Sequence, residues 1–481
     1  MMRASEFILS IKLYGSDGRL HVDTSATMKS MRFTESIFKA YDIRGLAGSE
    51  LTVEVAHGVG RVLADFLPHA DMDGAMGQVV VGRDMREDST ELAEALIAGL
   101  VQQGRTVIDI GLVTSDMVYF AVGQYGFAGG AMVTASHNPG QYNGIKLTAA
   151  GVAPLGQDSG LDQLKTALVS DSYQTAKPGG RVEKRDIASE WMDHALRLAG
   201  ALKPLKVGID FGNGMAAINL PALGEKTQLQ IEALYSELDG SFPNHGANPL
   251  IRENLTDLSK LVNDKKLDLG VAFDGDGDRA FLVDEAGEPV SASVLGAILA
   301  SDVLQRNPGA MILRNVITSN IVPDTVAALH GRVERTRVGH SFVKAKMREV
   351  GAALAIEHSG HFYFADNFNA DSGLIAALKA IAILGSSGKK LSELAAPFKR
   401  YSNSGEVNIE VADKEPVVQK VRDHYKDGRQ DELDGLTVRY GNWWFNLRAS
   451  NTEPYLRLNV ESGNGSLTQE KTAELLELIK A

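Results

Sequence analysis

The chain contains no cysteine among its 481 residues. Disulfides, thiolate nucleophiles, Cys-ligated zinc and iron–sulfur clusters are therefore excluded. A cytoplasmic location fits that absence. No run of about 18 apolar residues occurs, so no membrane span is expected. The N-terminus does not read as a signal peptide: its best apolar stretch, Phe7–Leu13, is broken by Lys12 and preceded by Glu6. Basic residues are outnumbered, 49 Lys and Arg against 61 Asp and Glu, for a net charge of −12. Nucleic-acid binders need a basic surface to displace counterions, so no DNA or RNA partner is expected. Glycine is plentiful instead, with 49 residues, above the usual share of about 7%. Many tight turns follow from that excess.

At roughly 100–200 residues per domain, the length suggests about three or four domains. Residues 1–30 show no clear period and read as a poorly ordered extension. From residue 31 the pattern is strand, turn, helix. Gln78–Gly82 predicts a buried strand, and Ser89 is placed to cap a helix over Thr90–Gln103. Leu92, Ala95, Leu96 and Leu100 recur at helical spacing, with Gly104 where a left-handed stop belongs. Thr106–Ile110 and Ala131–Thr134 read as further strands.

The strand-into-polar-turn unit recurs. Lys206–Asp210 enters Phe211-Gly-Asn-Gly214, Leu267–Phe273 enters Asp274-Gly-Asp-Gly-Asp278, and Ala352–Ile356 enters Glu357-His-Ser-Gly-His361. Such alternation predicts α/β architecture, with parallel or mixed sheets covered by helices. Ligands in such sheets sit at the carboxyl ends of strands, where these turns fall. Pro178-Gly179-Gly180, Gly287-Glu-Pro289 and Ser402-Asn-Ser-Gly405 mark boundaries. They divide the chain into α/β domains at 31–178, 181–287 and 290–400, and a final α+β domain at 402–481. The last holds short strands at Glu406–Val411, Leu436–Tyr440, Trp443–Leu447 and Tyr455–Val460, with helices near 415–426 and 468–480.

Asp274, Asp276 and Asp278 are three carboxylates at i, i+2, i+4 separated by glycines. They can converge on one hard cation such as Mg²⁺. An EF-hand is disfavoured, because Arg279 replaces the glycine needed at the sixth position and strands are expected on both flanks. An acidic surface turn is the plainer alternative. Thr134-Ala-Ser136-His137-Asn-Pro139 presents a hydroxyl at a strand end, or is an ordinary Ser/Asn/Pro turn. It lacks the glycines of a nucleophile elbow. Lys146 lies ten residues on.

Val338-Gly339-His340-Ser-Phe-Val-Lys344 offers an imidazole and an ammonium beside a glycine, although a glycine–histidine turn is more often a plain loop. Glu357-His358-Ser359-Gly360-His361 could be a metal site but lacks further zinc-like ligands nearby and suits sugar hydroxyls. Arg448-Ala-Ser450-Asn451-Thr452 is donor-rich enough to wrap a phosphate dianion, or is a capped turn between strands. Arg457 is expected to face the other side. Asp42-Ile-Arg44-Gly45 adds another arginine beside a glycine.

Together these segments resemble the α-D-phosphohexomutase superfamily. Tyr41-Asp-Ile-Arg-Gly45, Thr134–Pro139, Asp274–Arg279, Glu357–His361 and Arg448–Thr452 match its signature loops in order. The match runs from Phe38 to Val460 and is most similar to the bacterial phosphomannomutase and phosphomannomutase/phosphoglucomutase branch. The resemblance implies four domains around a central cleft: three similar mixed α/β domains and a C-terminal α+β domain.

It implies that Ser136 is phosphorylated and holds one Mg²⁺ with Asp274, Asp276 and Asp278. Arg44 and Arg279 would neutralise charge on the phosphoryl group in transit. Lys146 is the first candidate for the base, with His137 and His361 next. Tyr41, Gly339, His340, Glu357 and Ser359 would meet the sugar, while Arg448, Ser450, Asn451 and Thr452 clamp the distal phosphate. The expected substrates are hexose phosphates, mannose and glucose, with hexose 1,6-bisphosphate as activator and intermediate. A dedicated phosphoglucomutase, a non-catalytic sugar-phosphate-binding protein and a Mg²⁺-dependent phosphatase are the alternatives. The chain departs from the family pattern at Ala355-Ile356, at His358, where methionine is common, and at Ser372.

Overall fold

A computed structural model describes residues 34–68, 75–173, 176–450 and 455–480. The extension at 1–30 lies outside them. The chain divides into two compact units, 1–187 and 188–481.

The N-terminal unit is built on one mixed sheet. Its strand order is Ile43–Leu46, Tyr142–Ala149, Gly129–Val133, Gln78–Arg83, Thr106–Leu112 and Arg181–Lys184, with Ala153–Pro154 paired to the second of these. Gln78–Arg83 runs parallel to both its neighbours, whereas Tyr142–Ala149 is antiparallel to both of its own. Val79, Val80 and Val81 are buried, as an apolar run in a sheet covered on both faces must be. Helices Val53–Phe66, Ser89–Gln102, Ser115–Tyr125 and Leu161–Val169 belong to the same unit. Val55, Val59, Leu63, Leu92, Leu96 and Leu100 join Val79, Val81 and Val133 in one core.

Two local expectations change here. Ser89 does not cap the helix it begins: Asp88 is the N-cap, and Ser89 Oγ donates to Asp84 Oδ1 instead. The expected break at Pro178-Gly179-Gly180 is a close approach. A Cβ on Gly180 would lie 2.1 Å from the carbonyl oxygen of Val101, so only glycine lets the chain pass. The first sheet then continues, with Arg181–Lys184 pairing parallel to Thr106–Asp109.

The second unit contains three sheets. The first has the order Pro289–Val290, Ala280–Asp284, Leu269–Phe273, Lys206–Asp210, Gln230–Leu234. The next runs Arg332–Thr336, Met311–Asn315, Ala352–Ile356, Phe362–Phe364, Ala370–Asp371. Both are mixed. The last is antiparallel, in the order Ser402–Asn403, Tyr455–Ser462, Trp443–Ala449, Leu436–Arg439, Arg429–Asp431, with Val407–Glu410 also on Tyr455–Ser462. Helices Lys414–His424 and Gly465–Lys480 accompany it. Their Val421, Leu475 and Ile479 pack with Phe445, Leu447 and Leu458. Three mixed α/β sheets and one α+β sheet agree with the expected fold class. Among the described residues no helix is long and apolar enough to cross a membrane.

Candidate active site

The N-terminal unit positions Ser136 just beyond strand Gly129–Val133. Its φ is +53°, a left-handed conformation that a non-glycine residue holds only when its surroundings over-determine it. The source of that constraint is Arg86, which the sequence reading did not single out. Its guanidinium donates to the carbonyls of Ser136 (2.9 Å), Asn138 (2.7 Å), Pro139 (2.9 Å) and Tyr142 (2.9 Å). Asp84 holds Arg86 in turn, at 3.2 Å from Nε. Burial outweighs Arg86 and raises the Asp84 pKa. The Ser136 amide donates to Thr134 Oγ1 at 2.9 Å, and Ser136 Oγ lies 3.2 Å from His137 Nδ1.

Arg44 enters from strand Ile43–Leu46, donates to Asn138 Oδ1 at 2.6 Å and is ion-paired with Asp42. Tyr41 lies just before that strand and is half-buried. Lys146 is buried on Tyr142–Ala149, with Nζ 3.5 Å from Ser115 Oγ. The unit thus brings Arg44 and His137 to the serine turn and places Lys146 on the adjacent strand.

In the second unit, Asp274, Asp276 and Asp278 occupy the loop between strands Leu269–Phe273 and Ala280–Asp284. Strands on both sides rule out an EF-hand. One oxygen from each carboxylate lies within 4.8 Å of the others, and all three residues are buried. Arg279 is a neighbouring cation, its amide and Nε at 3.2 and 3.3 Å from the two oxygens of Asp274. Burial, then repulsion from Asp278 and Asp276, pushes the Asp274 pKa up to about 8. Like charges confined in low dielectric are costly unless a cation joins them. An all-oxygen buried set therefore fits a hard divalent ion.

The loop after Ala352–Ile356 is tied to the aspartate loop. Arg279 and His361 form an antiparallel backbone bridge, and the Ala280 amide donates to the Gly360 carbonyl at 3.2 Å. Gly373, which opens helix Gly373–Ser387, presses on the same loop. A Cβ there would lie 2.6–2.7 Å from the carbonyl oxygens of Arg279 and Gly277.

His361 spans both loops, with Nε2 3.2 Å from Asp278 Oδ1 and Nδ1 2.9 Å from Ser359 Oγ. Burial pulls its pKa down, but the Asp278 and Glu357 carboxylates together outweigh that and the net direction is up. Asp371 lies 4.0 Å from His361 and is neutralised by the buried Lys344 at 2.7 Å. Glu357 accepts from Asn315 Nδ2 (3.0 Å), the Gly339 amide (3.1 Å) and the Tyr363 hydroxyl. The amide of Gly339 is therefore engaged by Glu357. His340 is half-buried at the first turn of helix His340–Val350.

Arg448, next to last in strand Trp443–Ala449, is buried and lies 2.8 Å from Glu406. Arg457 does not face the other side. It is the direct cross-strand partner of Arg448, and it too meets Glu406, at 3.1 Å. Ser450 donates its amide to the Tyr455 carbonyl at 2.8 Å. Asn451 and Thr452 lie outside the described residues.

Arg86, Asn315 and Glu406 are the residues that sequence reasoning missed, and the pairing of Lys344 with Asp371 was not foreseen. The spacing of Asp84 and Arg86 after a strand was a signal for the first. Glu406 has no local signal, because its partners lie 42 and 51 residues away in the chain.

Four domain models of one family match the chain in order. "Phosphoglucomutase/phosphomannomutase, alpha/beta/alpha domain I" covers residues 35–170, domain II 189–287, domain III 292–401 and the C-terminal domain 406–478. The chain is 38% identical over 450 residues to the phosphohexose mutases of Xanthomonas campestris pv. campestris strain B100, covering 92% of this chain and 99% of the relative. It is 38% identical over 455 residues to a phosphomannomutase of Vibrio cholerae serotype O1, covering 92% and 98%. The crystal structure of a phosphoglucomutase/phosphomannomutase family protein from Burkholderia thailandensis matches with a TM-score of 0.83. Its identity is 32%, over 93% of this chain and 98% of that one.

Proposed function

The chain belongs to the phosphoglucomutase/phosphomannomutase family, and from that premise we propose that it interconverts mannose 6-phosphate and mannose 1-phosphate through a phosphorylated Ser136. Glucose phosphates are the second substrate pair. The observation that carries this reading is the Ser136 turn, a hydroxyl-bearing residue held at positive φ by four carbonyl contacts from one buried arginine. Such a turn fixes a nucleophile rather than merely exposing one.

In the proposed cycle, phosphoserine 136 transfers its phosphoryl group to the free hydroxyl of the hexose monophosphate. The bond from Oγ to phosphorus breaks as the bond from the sugar oxygen forms, and the sugar proton passes to a base. Lys146 is assigned that role, with His137 and His361 as alternatives. The product is a hexose 1,6-bisphosphate. It turns over, returns its other phosphate to Ser136, and leaves as the isomeric monophosphate. Phosphoryl transfer is mainly a matter of position and charge neutralisation. Arg44 would face the transferring group beside Ser136, and Arg279 would do so from the aspartate loop.

Asp274, Asp276 and Asp278 would hold Mg²⁺, which supplies charge stabilisation to the transferring oxygens when bound. Glu357, already oriented by Asn315, Gly339 and Tyr363, would accept sugar hydroxyls. Ser359, His340 and Tyr41 would complete that contact. Arg448 and Ser450, with Asn451 and Thr452, would hold the phosphate that is not in transit.

The test is mutase activity on mannose 1-phosphate and glucose 1-phosphate, with Mg²⁺ and a trace of hexose 1,6-bisphosphate. Wild type turns over both, and Ser136→Ala turns over neither. Inorganic phosphate released faster than isomerised sugar would make the protein a phosphatase. No turnover of either sugar, with Ser136 phosphorylated by mass spectrometry, would overturn the assignment.

A further inference from the structure

Arg448 and Arg457 stand directly opposite each other across two antiparallel strands. Like charges in that position repel. Among the described residues one carboxylate bridges the pair. Glu406 places Oε2 2.8 Å from Arg448 Nη2 and Oε1 3.1 Å from Arg457 Nη1. It arrives from the short segment between Ser402–Asn403 and Val407–Glu410. Arg448 is 4% exposed in its side chain and Glu406 14%, so little water competes for these contacts. Two anionic oxygens, each on its own guanidinium, is also the arrangement by which arginines hold a phosphate.

We propose that Glu406 is a built-in occupant of the phosphate clamp, which a substrate phosphate displaces and which sets how tightly that phosphate is held. The inference rests on the mutase reading, which assigns phosphate binding to Arg448. While no ligand is bound, Glu406 keeps two crowded guanidiniums compensated. A phosphate dianion carries more charge and a third oxygen, so it wins the exchange. It wins by less than it would over bare arginines, because the carboxylate must be released. The reverse step benefits equally. A bisphosphate that must let go, turn and bind by its other end leaves behind arginines that Glu406 covers again. His358 lies within electrostatic reach of Glu406 and Arg448, but burial lowers its pKa, so it adds no competing cation near neutral pH. Glu406 acts here through the arginines and is a positioning residue.

The experiment compares the full-length wild type with Glu406→Gln, which keeps an acceptor oxygen and removes the charge. Inorganic phosphate binding is read by titration calorimetry, and kcat and KM are read on mannose 1-phosphate. We expect inorganic phosphate to bind about tenfold tighter in the variant, the order of one charge-assisted contact. KM falls with it, and kcat falls because the intermediate leaves the clamp more slowly. Glu406→Asp, which draws the carboxylate back by one methylene, moves phosphate affinity in the same direction by a smaller factor. It serves as the measurement if the glutamine variant does not fold. A merely structural ion pair would lower thermal stability and leave phosphate binding unchanged or weaker, and that result in either variant overturns the proposal. Failure of the mutase reading looks different: hexose phosphates would not compete with inorganic phosphate in the wild type. The shift between wild type and Glu406→Gln would still be measured on inorganic phosphate alone.

Discussion

Around Ser136 two buried arginines have anions of their own: Arg86 has Asp84, and Arg44 has Asp42. Around Asp276 the balance is reversed, with three buried carboxylates beside Arg279 and a histidine. The first arrangement is charge-closed, so its shape does not wait for a ligand. The second carries buried negative charge in excess, and its stability depends on what joins it. The same polypeptide thus offers a preorganised turn at the proposed nucleophile and a cation-hungry loop at the proposed metal site.

Arg86→Ala breaks the first arrangement most severely. It removes four carbonyl contacts and leaves Asp84 buried without its guanidinium. One-sided loss of a buried pair costs about 3–5 kcal/mol, read as a lower urea midpoint, together with loss of mutase activity. The double change Asp84→Asn/Arg86→Met recovers part of the stability and none of the activity. A single variant as stable and active as wild type would sink the account of the turn.

The aspartate loop sharpens the comparison through pH. The Asp274 carboxyl has an ordinary value of 3.8 and is raised to about 8 in the fold. Between those values the unfolded chain binds fewer protons than the folded one. Stability of the metal-free protein therefore falls as pH rises, by at most about 1.4 kcal/mol per pH unit. Thermal melts in chelator from pH 5 to 8 show the decline, and added Mg²⁺ removes it. Melts that stay flat in chelator would erase the contrast between the two regions.

The N-terminal unit responds in the opposite sense. Burial, aided by Arg61, lowers the pKa of His57 to about 4. Below its ordinary value of 6.5 the unfolded chain takes up a proton that the fold refuses, so stability is lost on acidification. The loss reaches about 3 kcal/mol toward pH 4. Amide exchange of helix Val53–Phe66 across that range reports it, and His57→Gln flattens the response. The smallest effect is a control. Arg252 and Glu288 are 3.2 Å apart but 75% and 64% exposed, so Arg252→Ala should shift stability by less than about 0.5 kcal/mol.

Much of the fold was legible because its strands are buried apolar runs that end in polar turns. Val79–Val81 and Leu269–Phe273 carry that signal unaided. The three aspartates were legible for the same reason, since their convergence is local. What escaped the reading depends on residues distant in the chain. Arg86 reaches carbonyls some 50 residues away. Gly180 serves the carbonyl of Val101 rather than a boundary. Ser89 has the composition of a cap, but Asp84 takes its hydroxyl. The facing of Arg457 depends on strand register, which the spacing of two arginines does not determine.

The backbone bridge between Arg279 and His361 has a consequence for how sugar preference can change within such a protein. It welds the loop proposed for the metal to the loop proposed for the sugar at one fixed pair of residues. An insertion or deletion in either loop would slide the other out of register and drag a carboxylate with it. New selectivity must then come from exchanging side chains at constant loop length, as at His358. Grafting a neighbour's sugar loop onto this scaffold will preserve catalysis only when the two loops have the same number of residues.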